Sequence, residues 1–286
     1  MSSSMIRFLL ICFAMTYPAS CGIYTEEQTY RKAQEYWEKD QYDLAAAAYE
    51  EFANRFPESE KASVCLFKAA NLLAEYMQEY SRAVEVYLQL INEYPRSSYA
   101  EAARLNLAEI YEVHLKEYAK AIEQYGYLLE SVKGSPAYQS KYLYRIGRNQ
   151  FLMGDLDKAL STFRDIVTND PAGGDSDRAA YQMGYIHYLQ GKTFKAERDF
   201  RFFLDKFPNS SWTYDALVHL ARCYEKNHKG IKARETYRKI RERYPDRNIH
   251  RDLQHLGKPD DTAKAERTKK ARNKSKRNKL RGPGSS

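Results

Sequence analysis

One spacing constrains this chain more than any other. A small residue is followed twelve positions later by alanine, four further on by an aromatic and eight beyond that by proline. The pattern runs through Ala33-Ala45-Tyr49-Pro57, Gly147-Ala159-Phe163-Pro171, Gly184-Ala196-Phe200-Pro208 and Ala221-Ala233-Tyr237-Pro245. Ala70-Ala83-Tyr87-Pro95 carries one extra residue before its second alanine. So does Ala108-Ala121-Tyr125, whose proline is displaced to Pro136. The second alanines recur every 37 or 38 residues, six times in all. Between them the chain reads as helix, tight turn, helix. In Tyr142 to Phe163 the first helix is expected to end near Met153, and Gly154-Asp155 to make the turn, because glycine takes positive φ without a Cβ clash. The second helix places Ala159, Leu160, Phe163 and Ile166 on one apolar face. The small residues stand where the paired helices cross and the backbones approach most closely. Each proline ends a second helix by removing an N–H donor.

A 37-residue helical hairpin repeat resembles the tetratricopeptide (TPR) family. That resemblance implies an all-α fold: a right-handed superhelix of six helix-turn-helix repeats over residues 26–245, with a capping helix over 246–257. The linkers FPESEKAS, YPRSSYAEAA and FPNSSWTYDA share a plan in which proline stops one helix and serine supplies the N-cap oxygen for the next. Ala172-Gly173-Gly174-Asp175 departs from it and is expected to be a flexible joint. Ile249, Leu253 and Leu256 form the apolar stripe of the cap, which covers the last open face of such a stack.

The ends differ from the repeats. Residues 1–20 read as an export signal, with Arg7 as the basic region and Phe8 to Met15 as an apolar run far short of a bilayer span. Pro18-Ala19-Ser20-Cys21-Gly22 resembles a bacterial lipobox with proline in place of its usual leucine. It implies acylation of Cys21, with residues 21–25 as lipidated terminus and spacer; an ordinary secretory signal is the alternative. Residues 258–286 hold 11 Lys or Arg and 3 Asp or Glu, which accounts for the whole net charge of +8. They bury too little to offset ordering entropy and read as a disordered basic tail. Such a tail is either simply solvated or attached to anionic lipid or polymer. Nucleic acid is not expected, since no aromatics interleave with the basic residues.

Catalytic chemistry is not expected. The six histidines are scattered, and no HExxH, GxSxG, Walker loop or GxGxxG occurs. Neither a metal nor a cofactor is called for. Cys65 and Cys223 read as small core residues and His187 as a satisfied core histidine. Binding remains. The resemblance places groove residues on the first helix of each repeat: three before, one after and four after the small residue. The candidates are Tyr30, Trp37, Asn71, Tyr144, Arg148, Phe151, Tyr181, Tyr185, Tyr188 and Arg222. Aromatic anchors around the Arg148 fork would suit an extended peptide carrying a carboxylate, or a partner subunit. The same rings could instead pack on neighbouring helices.

Signal, lipid cysteine and an immediate repeat stack together resemble the BamD-like TPR lipoproteins of the outer membrane. The resemblance implies a non-enzymatic scaffold facing the periplasm in outer-membrane protein assembly. Pilotin-like or motility-complex lipoproteins, and a soluble periplasmic adaptor with a polyanion-binding tail, are the alternatives.

Overall fold

The computed structural model describes residues 25–247, which are helical without a strand. The signal, Cys21, the capping helix and the basic tail lie outside the described residues. The chain divides into two compact units, with the boundary in sequence between Glu79 and Tyr80. The first contains α1 (Glu26–Glu38), α2 (Tyr42–Arg55), α3 (Ala62–Asn71) and a π-helical segment π1 (Leu72–Tyr76). The second begins with α4 (Tyr80–Glu93), α5 (Ser98–Glu109), the π-helical π2 (Ile110–Leu115) and α6 (Tyr118–Ser131). It continues with α7 (Pro136–Met153), α8 (Leu156–Asn169), α9 (Ser176–Leu189), α10 (Thr193–Lys206), α11 (Thr213–Lys226) and α12 (Gly230–Arg243). Among the described residues no helix is long and apolar enough to cross a membrane.

The extra residue of two copies has a definite location. In the four regular copies, the turn closes with an N–H five residues beyond its acceptor: Gln41 to Tyr36, Asp155 to Gln150, Lys192 to His187 and Lys229 to Tyr224, at 2.8–2.9 Å. In the two long copies, the same bond spans six residues, Glu79 to Leu73 and Glu117 to Tyr111, each 2.8 Å. The acceptor is always three residues after the small one. The insertion therefore lies between them, and the end of the first helix widens into π1 or π2 to absorb it. One residue per turn is left-handed: Gly154 (φ 88°) and Gly191 (φ 72°) in two copies, but Asp40, Gln78, Lys116 and His228 (φ 55–57°) in the others.

The small residues do not simply face the second alanine. A Cβ on Gly147 would lie 2.8 Å from Cε1 of Phe163, and one on Gly184 2.9 Å from Cδ1 of Phe200. Where the first residue is alanine, the aromatic is tyrosine: Ala33 with Tyr49, Ala70 with Tyr87, Ala108 with Tyr125, Ala221 with Tyr237. Those hydroxyls reach polar partners: Tyr87 accepts from Asn106 (3.1 Å), Tyr125 donates to Glu112 (2.9 Å), Tyr49 pairs with Lys68 and Tyr237 with Glu225. A phenyl ring needs no such partner and settles into the space of the absent methyl.

The linkers show three departures from expectation. Ser97 caps α5 as expected. Ser59 and Ser210 instead accept an N–H two residues on, ahead of α3 and α11. Their hydroxyls donate backward to the first turn of the preceding copy, Ser59 to Glu26 and Ser210 to Asp177, both 2.6 Å. Pro136 does not end the third copy. It is the first residue of α7, where its missing N–H has no helical acceptor to lose. The glycine linker expected to be flexible is tied down: Gly173 N–H donates to the Asp170 carbonyl, Ser176 Oγ donates to the same carbonyl, and Ser140 Oγ donates to Asp170 Oδ2 at 2.8 Å.

Candidate functional site

In the first unit, the candidates Tyr30, Trp37 and Asn71 have different surroundings. Tyr30 packs edge-on against Tyr49 and Phe52, with ring centroids 6.2 and 5.7 Å away. Its face and hydroxyl belong to lysines of the following copy: Lys61 Nζ lies 4.9 Å from the ring centre, and Lys68 Nζ donates to the hydroxyl at 3.2 Å. Trp37 is half exposed at the end of α1, and Asn71 is half buried at the end of α3.

The other seven candidates lie in the second unit, on α7, α9 and α11. Tyr144 and Tyr181 are buried, which corrects their reading as groove walls. Tyr144 is covered by the Arg178 guanidinium, 4.2 Å above its ring, and packs on Phe163. Tyr181 is stacked on Trp212 at 4.9 Å and surrounded by Phe200 and Phe203; burial pushes its phenol far up. Both stand three residues before the glycine, where the next hairpin covers them.

Arg148 is only partly open. One nitrogen of its guanidinium donates to Glu112 of the preceding copy, while its side chain stays 44% exposed. The Glu112 side chain is 1% exposed. Tyr125 donates to it at 2.9 Å and Asn149 at 3.1 Å, and Arg145 lies 3.5 Å away. A buried carboxylate with this many donors is a joint between copies.

Phe151, Tyr185 and Tyr188 retain partial exposure, and they form a continuous wall on α7 and α9. Phe151 meets Tyr185 at 6.2 Å, and Tyr185 stacks parallel on Tyr181 at 6.1 Å with 8° between planes. Lys226 Nζ sits 4.6 Å over Tyr188, and Arg222 is half buried beside them on α11. Under this wall lies His219, which spacing did not single out. Its ring is stacked on Phe200 at 5.5 Å, with Tyr185 and Tyr188 at 5.2 and 5.0 Å. It is fully buried, neither ring nitrogen has a hydrogen-bond partner, and burial, helped by Arg222, lowers its pKa to about 3. Its place within the apolar run Val218-His219-Leu220-Ala221 was the available signal.

The other expectations for inert groups find direct counterparts. His187 is buried with Nδ1 2.5 Å from Asp199 Oδ2. Cys65 and Cys223 are buried free thiols, both pushed up to about 12 by burial. Among the described residues no cluster of His, Cys, Asp or Glu could hold a metal ion.

The arrangement is one of repeated helical hairpins, and comparison with known proteins agrees with that fold. Among solved structures, a tetratricopeptide repeat protein from Parabacteroides merdae is 16% identical, with a TM-score of 0.50 over 75% of this chain and 78% of that one. PilW, described as a widely conserved type IV pilus biogenesis factor, is 15% identical, with a TM-score of 0.50 over 80% of this chain and 97% of its own. MamA is 15% identical, with a TM-score of 0.51 over 64% of this chain and 92% of its own. No curated protein matches the sequence. The tetratricopeptide-repeat family model matches residues 29–59, 64–97, 141–172, 178–210 and 215–247, passing over the long third copy. These matches cover more than half of the chain, which belongs to the tetratricopeptide-repeat family.

Proposed function

We propose that this TPR protein is a non-enzymatic scaffold that holds an extended segment of a partner protein against α7, α9 and α11. The observation that carries this reading is the Phe151-Tyr185-Tyr188 wall. Its rings are fixed from behind by Tyr181 and His219 yet keep part of their surface open. Rigid aromatic anchors lose little rotamer freedom on binding, and such residues dominate protein interfaces. Lys226 and Arg222 at the same edge favour a segment with acidic residues or a terminal carboxylate.

The setting proposed is the periplasmic face of the outer membrane, with the chain anchored through acylated Cys21 and acting in barrel-protein assembly in the manner of BamD-like lipoproteins. The lipobox-like Pro18 to Gly22 segment and the repeat plan support it. A second reading is a pilus or motility-complex lipoprotein, favoured by the fold match to PilW. Photocrosslinking from position 185 in cells, followed by mass spectrometry, tests both. A barrel-assembly protein supports the first, and a secretin supports the second. Tyr185→Ser with Tyr188→Ser should remove the adduct formed from a crosslinker at position 151. An unchanged adduct refutes the aromatic wall as the binding face. Intact mass and membrane partitioning beside Cys21→Ala test the anchor separately.

A further inference from the structure

The second helices of the copies in the second unit occupy equivalent places, yet their exposed faces differ in charge. Exposed basic and acidic residues number 0 and 2 on α4, 1 and 2 on α6, and 2 and 2 on α8. They number 4 and 1 on α10 and 6 and 2 on α12. Nothing in the repeat fold requires this change, since α8 and α10 bury the same small and aromatic positions. The shift is part of a longer asymmetry: residues 25–133 carry 12 basic and 20 acidic side chains, and residues 134–247 carry 21 and 14.

The same basic face also exposes large apolar side chains. Phe194 is 69% exposed, Phe202 42% and Ile231, in the first turn of α12, 68%. Phe194 and Phe202 line one open depression of about 700 Å³ with Arg198, Arg201 and Lys229. Lys229 is tied there by Glu197, at 2.7 and 2.8 Å, and lies 5.5 Å over the Phe194 ring. Burial opposes ionisation of Glu197, but Lys229 and Asn227 outweigh it and hold the carboxyl below its ordinary range. The one exposed acid on α10, Asp205, has Lys206 beside it at 3.6 Å.

We infer that the outer face of α10 and the first turn of α12 form a docking surface for an anionic lipid bilayer. The two phenylalanines are eight residues apart, about 12 Å along the helix. Both can enter the headgroup boundary at once while Arg201 and the outer edge of Arg198, whose Nε and Nη2 donate to Asp199 Oδ1 at 3.2 Å, meet lipid phosphates. A wide, open depression that carries both rings and basic side chains suits an anionic lipid layer better than it suits the enclosed fit of a protein side chain. This surface is on second helices, away from the first-helix wall of the proposed partner site, and the two assignments stand or fall separately.

The test is co-sedimentation of the full chain, carrying Cys21→Ser so that no acyl chain contributes, with vesicles of phosphatidylglycerol and phosphatidylcholine or of phosphatidylcholine alone. Phe194→Ser/Phe202→Ser and Arg198→Glu/Arg201→Glu should each weaken the binding to anionic vesicles at least ~tenfold, each basic contact near such a surface contributing about fivefold. Lys158→Glu/Arg164→Glu on α8 makes the same change in net charge and should weaken it only ~two- to threefold. In addition, a tryptophan introduced by Phe194→Trp should be quenched by brominated lipid in anionic vesicles, and one introduced by Ser161→Trp should not. Equal loss in the α8 and α10 charge variants would reduce the effect to net charge and overturn the assignment. So would unaltered binding of the α10 variants, absence of anionic preference in the parent, or light scattering showing that the same substitutions abolish association between copies instead.

Discussion

The orphaned imidazole of His219 gives the fold a measurable acid sensitivity. Its pKa falls from 6.5 to about 3 on folding, so the folded ring stays neutral while the unfolded one takes up a proton below pH 6.5. The stabilisation is therefore complete above the unfolded value and is lost as pH falls toward the folded one, at about 1.4 kcal/mol per pH unit in between. From pH 7 to pH 5, the cost is about 2 kcal/mol. His219→Leu keeps a similar volume among Tyr181, Tyr185, Tyr188 and Phe200 and removes both unpartnered nitrogens. Urea unfolding followed by tryptophan fluorescence is the assay, because Trp212 stacks on Tyr181 beside the site. Carboxylates elsewhere titrate alike in both proteins and cancel in the difference. The variant should gain about 2 kcal/mol relative to the parent on going from pH 7 to pH 5. A difference that stays constant across that range would mean that the ring titrates as an ordinary histidine, and the burial argument would be wrong.

Four further outcomes are expected. Gly147→Ala and Gly184→Ala should each destabilise by about 1–3 kcal/mol through contact with the Phe163 or Phe200 ring, read as a lower urea midpoint, and Phe→Leu at the facing position should recover part of the loss. Glu112→Gln should cost about 1–2 kcal/mol, since it replaces charge-assisted hydrogen bonds by neutral ones while Arg148 and Arg145 stay partly in water; an unchanged midpoint would show that the joint contributes nothing. Gln78→Gly, at φ 56°, should stabilise by up to about 1 kcal/mol, because relief of the left-handed strain exceeds the added unfolded-state entropy. Cys65 and Cys223 should resist thiol reagents at pH 8 until the chain unfolds, as peptide mapping after brief labelling will show.

Much of the architecture was legible because it rests on local rules. Twelve residues from small residue to alanine specify a helix end, a turn and a helix start, and Gly154 takes the positive φ expected of it. What spacing cannot convey is which neighbour covers a given side chain. Tyr144 and Tyr185 both point from first helices, yet the first lies under Arg178 and the second keeps an open edge. Pro136 was misread because a proline that follows one helix and a proline that begins the next are the same residue in sequence. The distinction depends on where α6 stops, at Ser131.

The engagement of Arg148 begins in the preceding copy. Glu112 stands four residues after Ala108, which in a regular copy is a groove position. Here, that position falls inside π2, where the inserted residue widens the helix and advances the register. The carboxylate consequently turns inward beneath Tyr125 instead of outward, and a buried carboxylate must find donors. Asn149 and Arg148, 37 and 36 residues further on, are the groups the next copy presents at that height. One extra residue in the third copy thus engages one side of an arginine in the fourth, which keeps 44% of its side chain exposed. A partner carboxylate at Arg148 would compete with Glu112, so affinity for a partner segment should depend on the rings of Phe151, Tyr185 and Tyr188 more than on Arg148.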